Sequence, residues 1–470
     1  MIRITRLLLI SVFLIYFFVT FFLLVIYPAS TFMGIFPFLT NIIFVGLFLI
    51  ALSNSITMAS KTKYNLFLKN IFWYSQFYCL AYICLQFLLS YCYTPELFPY
   101  DIGITDNYEY ITNGSFFNLV LKDERSMKTF LALSGISDQG FPIWCGTIFY
   151  IFGDGQLVVK LLNAIVTGIT VILVVKTVRI VLNERIAKLS GILYAFIPTV
   201  AYISGFFLKE SLMMFLVSIS IYNVVLLLKE LSVFRFCVLF FAILSIFFFR
   251  GHLAAIVLFS CMCYFLINGK MKIVPMFVCF ISLVLVLNDT YIMDSIQSEL
   301  LGRYNEINAD EQYFQEKMEQ SSALSKLGLV PLLPLATLFP LPSFLDLRSS
   351  FNIQSIGILY RIHVDLIRII LMFWGFLGTY YIVKHRKIKI LSIFLIPFII
   401  QIIVNAMVGV LTYYRYQFTI ILFLVPIMAY GINYFCLDLK RNLRLYRIYV
   451  IVVFFIILVY NVMRTNFVEL

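Results

Sequence analysis

Apolar runs separated by short polar breaks recur along the whole chain, and most are about 17 to 25 residues long, the length at which a helix crosses a bilayer. Read this way, the pattern predicts thirteen helices, near 7–27, 34–53, 72–93, 157–178, 187–207, 211–228, 234–249, 253–268, 273–288, 361–383, 390–411, 418–436 and 448–463. The fold class that follows is all-α, a polytopic integral membrane protein of about 13 transmembrane helices. The first run, Leu7 to Ile26, exceeds a signal-peptide apolar region of about 7 to 15 residues and has no small-residue cleavage site, so it is expected to stay as a helix. Two segments interrupt the rhythm, 94–156 and 289–360. The whole chain reads as one transmembrane domain: two N-terminal helices over 1–69, a segment 70–230 that includes the first long loop, and C-terminal helices over 231–470 that include the second.

Composition agrees with the pattern. Residues are 62% hydrophobic and 12% charged, against about 25% charged in an ordinary soluble domain. The net charge of +12 comes from basic residues scattered among short loops, not from one groove or arm, so nucleic acid is not an expected partner. With Met1 placed in the cytoplasm, the inner loops hold 21 of the 35 basic residues and only Glu184, Glu230 and Asp438 of the 23 acidic ones. This is the positive-inside distribution, and it puts both long segments outside. The nine cysteines fall mostly in apolar runs, where a free thiol behaves as a small hydrophobe. Cys92 and Cys145 alone are placed to face an oxidising compartment.

The first external segment opens with Asp101, Asp106 and Glu109 within nine residues, directly after an apolar span. Carboxylates beside a bilayer are costly to keep, so such a cluster is a functional candidate, with a solvated acidic loop as the alternative. Next comes Phe141 to Phe152, too short to span and better suited to a helix at the interface, with Trp144 and Tyr150 at headgroup level. In the second segment, Pro331, Pro334, Pro340 and Pro342 argue against a straight span over Leu327 to Leu345 and favour a re-entrant or surface-lying stretch.

Further charged groups fall at predicted outer turns. Lys209 and Glu210 lie between two helices, on the side of Asp106, so that two carboxylate-bearing elements face one external cavity. Arg250 and His252 make the next turn, and Arg415 with Tyr416 a later one. An arginine there suits a lipid phosphate, which it binds bidentately, or it snorkels to headgroups. His252 is a candidate general acid or metal ligand, or a structural hydrogen-bonding group. Arg361, Asp365 and Arg368, spaced i, i+4 and i+7, share a helix face that either holds a phosphate or locks two helices together. No Walker loop, dinucleotide fingerprint, zinc-protease helix or nucleophile elbow is present, so those chemistries have no support.

The order of parts is recognisable: Asp106-x-x-x-Tyr110, then Pro142-x-Trp144, Phe-Gly-Asp-Gly before a helix, Arg-Ile-Ala-Lys-Leu-Ser-Gly at 185–191, Ile197-Pro198, and Ser204 to Lys209-Glu210. Over about residues 70–230 it resembles the GT-C superfamily of polytopic glycosyltransferases, in the branch similar to dolichyl-phosphate-mannose protein mannosyltransferases and aminoarabinose transferases. The chain departs from that pattern by its two extra N-terminal helices and by the lack of a soluble domain in its C-terminal half. Its Arg415-Tyr416 turn is also like O-antigen-type polysaccharide polymerases.

The resemblance implies sugar transfer on the outer face of a bacterial cytoplasmic membrane, from a polyprenyl-phosphate sugar to a glycan or lipid acceptor, with inversion. Asp106 matches the family's catalytic carboxylate, a single base where glycoside hydrolases need a pair, and Glu210 its second acidic position. Lys209, Arg250 and Arg415 are then the cations for the leaving phosphate, and Asp101, Glu109, Tyr110, His252, Arg361, Arg368 and Tyr416 the remaining candidates for substrate contact. A divalent cation is left open. Two other readings stand beside this one: a polymerase using a pyrophosphate-linked oligosaccharide and leaning on arginines, and a lipid-sugar flippase with its charges along a mid-bilayer path.

Overall fold

The computed structural model describes residues 43, 45–56, 62–93, 106–133, 139–152, 156–268, 353–407 and 414–468. The helices expected at 7–27 and 273–288, half of the one at 34–53, the segment 289–352 and Asp101 lie outside these residues. Every regular element among the described residues is a helix. The order is α1 (Val45–Ile56), α2 (Lys63–Tyr93), α3 (Asp106–Leu121), α4 (Met127–Leu133), α5 (Gly140–Phe152), α6 (Gln156–Val181), α7 (Glu184–Phe196), α8 (Pro198–Gly205), α9 (Glu210–Lys229), α10 (Val233–Phe249), α11 (Gly251–Ile267), α12 (Ile353–Lys384), α13 (Ile388–Met407), α14 (Tyr414–Phe435) and α15 (Leu439–Val468).

Among the described residues six helices are long and apolar enough to cross a membrane, or seven if α7 and α8 are one bent span. The described residues are therefore all-helical, and the protein is a multi-pass membrane protein. Helices α10 and α11, predicted as spans, are 17 residues each, at the short edge of what a bilayer requires.

Helices α6, α7 and α9 form the centre. Buried Gln76 of α2 donates to the Ala164 carbonyl of α6 at 2.8 Å, at a level where Gly168 lets the two helices approach: a Cβ there would strike Gln76 and Phe72. Asn183 caps α7 by accepting from the Ile186 amide at 2.9 Å. Helix α14 packs against α7 and α12, and Gly431 admits the Trp374 carbonyl of α12, which a Cβ would block.

The sequence predicts one helix over 187–207, but the structure has two, bent by 44°. Pro198 is the cause. It has no amide to donate, the chain leaves helical dihedrals at Ile197, and the proline restarts the helix at its first position. The restart turns the last two turns inward, so that every residue of α8 is buried.

A second departure is α3, since the sequence reads this stretch as part of an external loop. Its buried positions are Asn107, Tyr110, Gly114, Phe117, Asn118 and Val120, and the first five make a helical stripe facing α5. Gly114 and Gly146 make the contact close: a Cβ on Gly146 would lie 2.6 Å from the Gly114 carbonyl oxygen. Two of the stripe's five members are asparagines and one is glycine, so the segment has helical periodicity without apolar periodicity.

Candidate functional site

Four elements meet at one end of the bundle: the first turns of α3 and α5, the 206–209 turn before α9, and the junction of α10 with α11. Tyr110 packs edge-on against Phe141 with centroids 5.1 Å apart, and Phe141 against Phe207 at 5.4 Å. Gly140 sits against Phe249, leaving no room for a side chain. The Lys209 ammonium lies 5.6 Å from the centroid of the Tyr110 ring. This contact ties α3 to the turn that carries Glu210.

That turn is irregular backbone, yet Ser204 to Glu210 are all buried. Non-helical backbone at such depth needs partners from the protein. Asn163 of α6 supplies one by donating to the Leu208 carbonyl at 3.1 Å, and the Lys209 carbonyl accepts from the Met213 amide at 3.1 Å as α9 begins. Glu210, at the first position of α9, has a carboxylate favoured by the helix field. It pairs with Arg250, Nη2 to Oε1 3.3 Å, with side-chain exposures of 0% and 5%.

The pairing corrects two expectations. Arg250 does not snorkel to headgroups, because it is buried against a carboxylate forty residues away in sequence. Nor does Glu210 face an open cavity as a bare carboxylate: it is the buried partner of that arginine. Each ion satisfies part of the other's desolvation cost, which neither could bear alone.

The remaining candidates divide into those the site gathers and those it does not. Asp106 begins α3 and so stands at the converging end, placed by its backbone; Tyr110 is buried there and Glu109 is exposed. His252 is half-buried in the first turn of α11. Asp365 and Arg368 are buried on α12, which reaches these elements by packing on α8. Arg361, Arg415 and Tyr416 are placed only by their helices, α12 and α14. Cys145 is buried on α5, and burial pushes its thiol well above the usual range, in keeping with a small hydrophobe rather than a reactive group. Among the described residues no group of three His, Cys, Asp or Glu side chains could hold a metal ion.

Sequence reading missed Lys160, which is buried on α6 one turn before Asn163, on the face that meets the 206–209 turn. The signal was a lysine inside an apolar run, where an ionisable group needs a reason to be. It also missed Asn107, fully buried beside Asp106, with neither side-chain polar atom hydrogen-bonded. The described site therefore has buried Lys209 and Arg250 beside Glu210, with a third buried cation, Lys160, on α6.

No curated protein and no solved structure matches the chain. Residues 141–291, which contain Lys160, Lys209, Glu210 and Arg250 but begin beyond Asp106 and Tyr110, are similar to the family described as dolichyl-phosphate-mannose-protein mannosyltransferase.

Proposed function

We propose that the protein transfers a sugar from a polyprenyl-phosphate donor to a glycan or lipid acceptor at the outer face of the membrane. The observation that supports this reading is that the family match covers the buried Lys160, Lys209, Glu210 and Arg250, while α3, which begins at Asp106, meets Lys209 through Tyr110. An outward-facing transferase needs a donor that has crossed the membrane as a lipid, and that donor presents a phosphate. A basic region with its charges already out of water stabilises the negative charge that grows on the leaving phosphate, since no solvent has to reorganise.

In this mechanism the Asp106 carboxylate takes the proton of the acceptor hydroxyl as its oxygen bonds to the anomeric carbon. The bond from that carbon to the phosphate oxygen breaks on the opposite side, the polyprenyl phosphate leaves, and the configuration inverts. Glu210 holds Arg250 in place, and Lys209 and Arg250 act on the phosphate. In this reading 70–230 is the GT-C-like catalytic half, and 231–470 holds the C-terminal helices, which add Arg250 to the site.

The test is Asp106→Asn, which keeps the side-chain size and removes the basic oxygen. Transfer should fall on the order of a hundred- to ten-thousandfold, with binding of the polyprenyl-phosphate sugar retained. Asp101→Asn and Glu109→Gln should change it only a few-fold. Near-normal transfer by Asp106→Asn together with a dead Arg415→Ala would replace this mechanism by that of a polymerase. For sidedness, a cysteine at Ser126, exposed between α3 and α4, should react with an impermeant thiol reagent added to intact cells. Protection would place the site on the other face.

A further inference from the structure

The opposite end of the α12–α15 unit carries a second charged assembly that sugar transfer does not use. Lys384, Arg386 and Lys387 follow one another where α12 ends, and Lys440, Arg441 and Arg444 occupy the first turns of α15; all six are exposed. The two groups share an aromatic floor: Lys384 Nζ and Arg441 Cζ lie 5.8 and 5.2 Å from the centroid of the same Tyr380 ring. Buried Asn442 fixes their spacing by donating to the Tyr381 hydroxyl at 3.0 Å and the Phe435 carbonyl at 2.8 Å. Among the described residues Asp438 is the one carboxylate on these turns, and it pairs with Arg441 at 3.5 Å.

Arg386 adds a separate observation. Its φ is +54°, and around it the Lys387 amide donates to the Ile382 carbonyl and the Arg386 amide to that of Val383. These are the bonds of a helix terminus whose left-handed residue is ordinarily glycine. An arginine is kept here against backbone strain. Directly beyond the cations, the apolar window of α15 is only 11% buried, against 50 to 83% for the other five single spans, and its contact with α12 runs along one seam, Tyr446 stacking on Trp374 and Tyr449 donating to the Ile369 carbonyl.

We propose that this end is a binding site for an anionic phospholipid, whose phosphate lies between the α12 terminus and the first turns of α15 and whose acyl chains cover the exposed side of α15. Charge complementarity selects the occupant: six cations to one carboxylate beside an apolar strip match a headgroup of net negative charge joined to hydrocarbon. A zwitterionic lipid would bring a positive group into the same place.

The test is native mass spectrometry and thermal unfolding of the full-length protein in detergent, titrated separately with dioleoyl phosphatidylglycerol, dioleoyl phosphatidylcholine and inorganic phosphate. Phosphatidylglycerol should be retained and should raise Tm; the other two should do neither. Lys440→Gln and Arg444→Gln should each weaken phosphatidylglycerol binding roughly fivefold, with Arg125→Gln, an exposed cation between α3 and α4, as the unaffected control. Arg386→Gly should weaken lipid binding similarly while raising the lipid-free Tm, because glycine relieves the strained φ. Equal retention of phosphatidylcholine, equal protection by inorganic phosphate, an Arg125→Gln effect as large as the others, or an Arg386→Gly protein that is less stable or binds lipid unchanged would each overturn the proposal.

Discussion

The two ends of the central bundle handle charge in opposite ways. At the end where α6 leads into α7 and α9 into α10, acidic residues pair in the open: Glu184 with Lys188 at 2.7 Å and Arg179 at 3.6 Å, and Glu230 with Arg235 at 3.2 Å. At the other end Glu210 pairs with Arg250 out of contact with water, directly after buried Lys209. The open pairs need no explanation beyond marking where the helices leave the apolar layer, since water solvates either partner if the other is removed. The buried group does need one, because taking ions out of water is costly and an apolar pair of similar size would serve stability as well or better. Enclosed charge retained under that cost is what a site for an anionic substrate requires.

The widest test of this contrast is Arg250→Ala, which leaves the Glu210 carboxylate enclosed beside a void. Breaking a buried pair from one side typically costs about 3–5 kcal/mol, and sugar transfer should be lost with it. Pairing the change with Glu210→Gln separates the two effects. The double variant removes both charges and should recover much of the thermal stability without recovering transfer. Recovery of both would make the pair a structural clasp and take Arg250 out of the mechanism.

The same contrast explains what could be read from the chain beforehand. Long spans such as α6, α9 and α14 were legible because their apolar runs are continuous, and the charge at the open end was legible because it lies at their edges. Lys209, Glu210 and Arg250 each stood out at a turn, but their union depends on α9, α10 and α11 packing so that residues forty apart meet. Helix α3 was hidden because its stripe facing α5 is built from Asn107, Tyr110, Gly114, Phe117 and Asn118, and hydropathy sees polarity where the fold buries two asparagines and a glycine. Lys160 was hidden by the opposite effect, one charge diluted by the valines and leucines around it. The Ile197-Pro198 pair was visible as a motif, while its consequence, a bend that buries α8, depends on what α8 packs against.

An intermediate effect is expected where α3 meets α5, because Asp106 is positioned only as well as that contact is kept. Gly146→Leu would drive a side chain into the Gly114 carbonyl and Phe117 and force the helices apart. Overpacking of this kind costs about 1–3 kcal/mol. Transfer should drop further than the loss of Tm alone would explain, while binding of the donor lipid at the α9–α11 side persists. A variant that loses stability with unchanged transfer per folded molecule would show that α3 is not part of the reacting site.

The smallest effect belongs to the open end. The Arg235 guanidinium pairs with the Glu230 carboxylate and also donates to the Glu230 carbonyl at 3.3 Å, where α9 ends and a cation meets carbonyls that the helix leaves unbonded. Glu230 is largely exposed, so Arg235→Gln exchanges these contacts for water and should cost no more than about 0.2–1 kcal/mol, with transfer and donor binding at their normal values. The change should shrink further as salt is raised, because exposed charges are screened, whereas the loss in Arg250→Ala should hardly respond to salt. If Arg235→Gln proved as damaging as Arg250→Ala, or if both responded alike to salt, the difference between the two ends would not be one of enclosed against solvated charge, and the case for placing the chemistry at the α9–α11 junction would lose its physical basis.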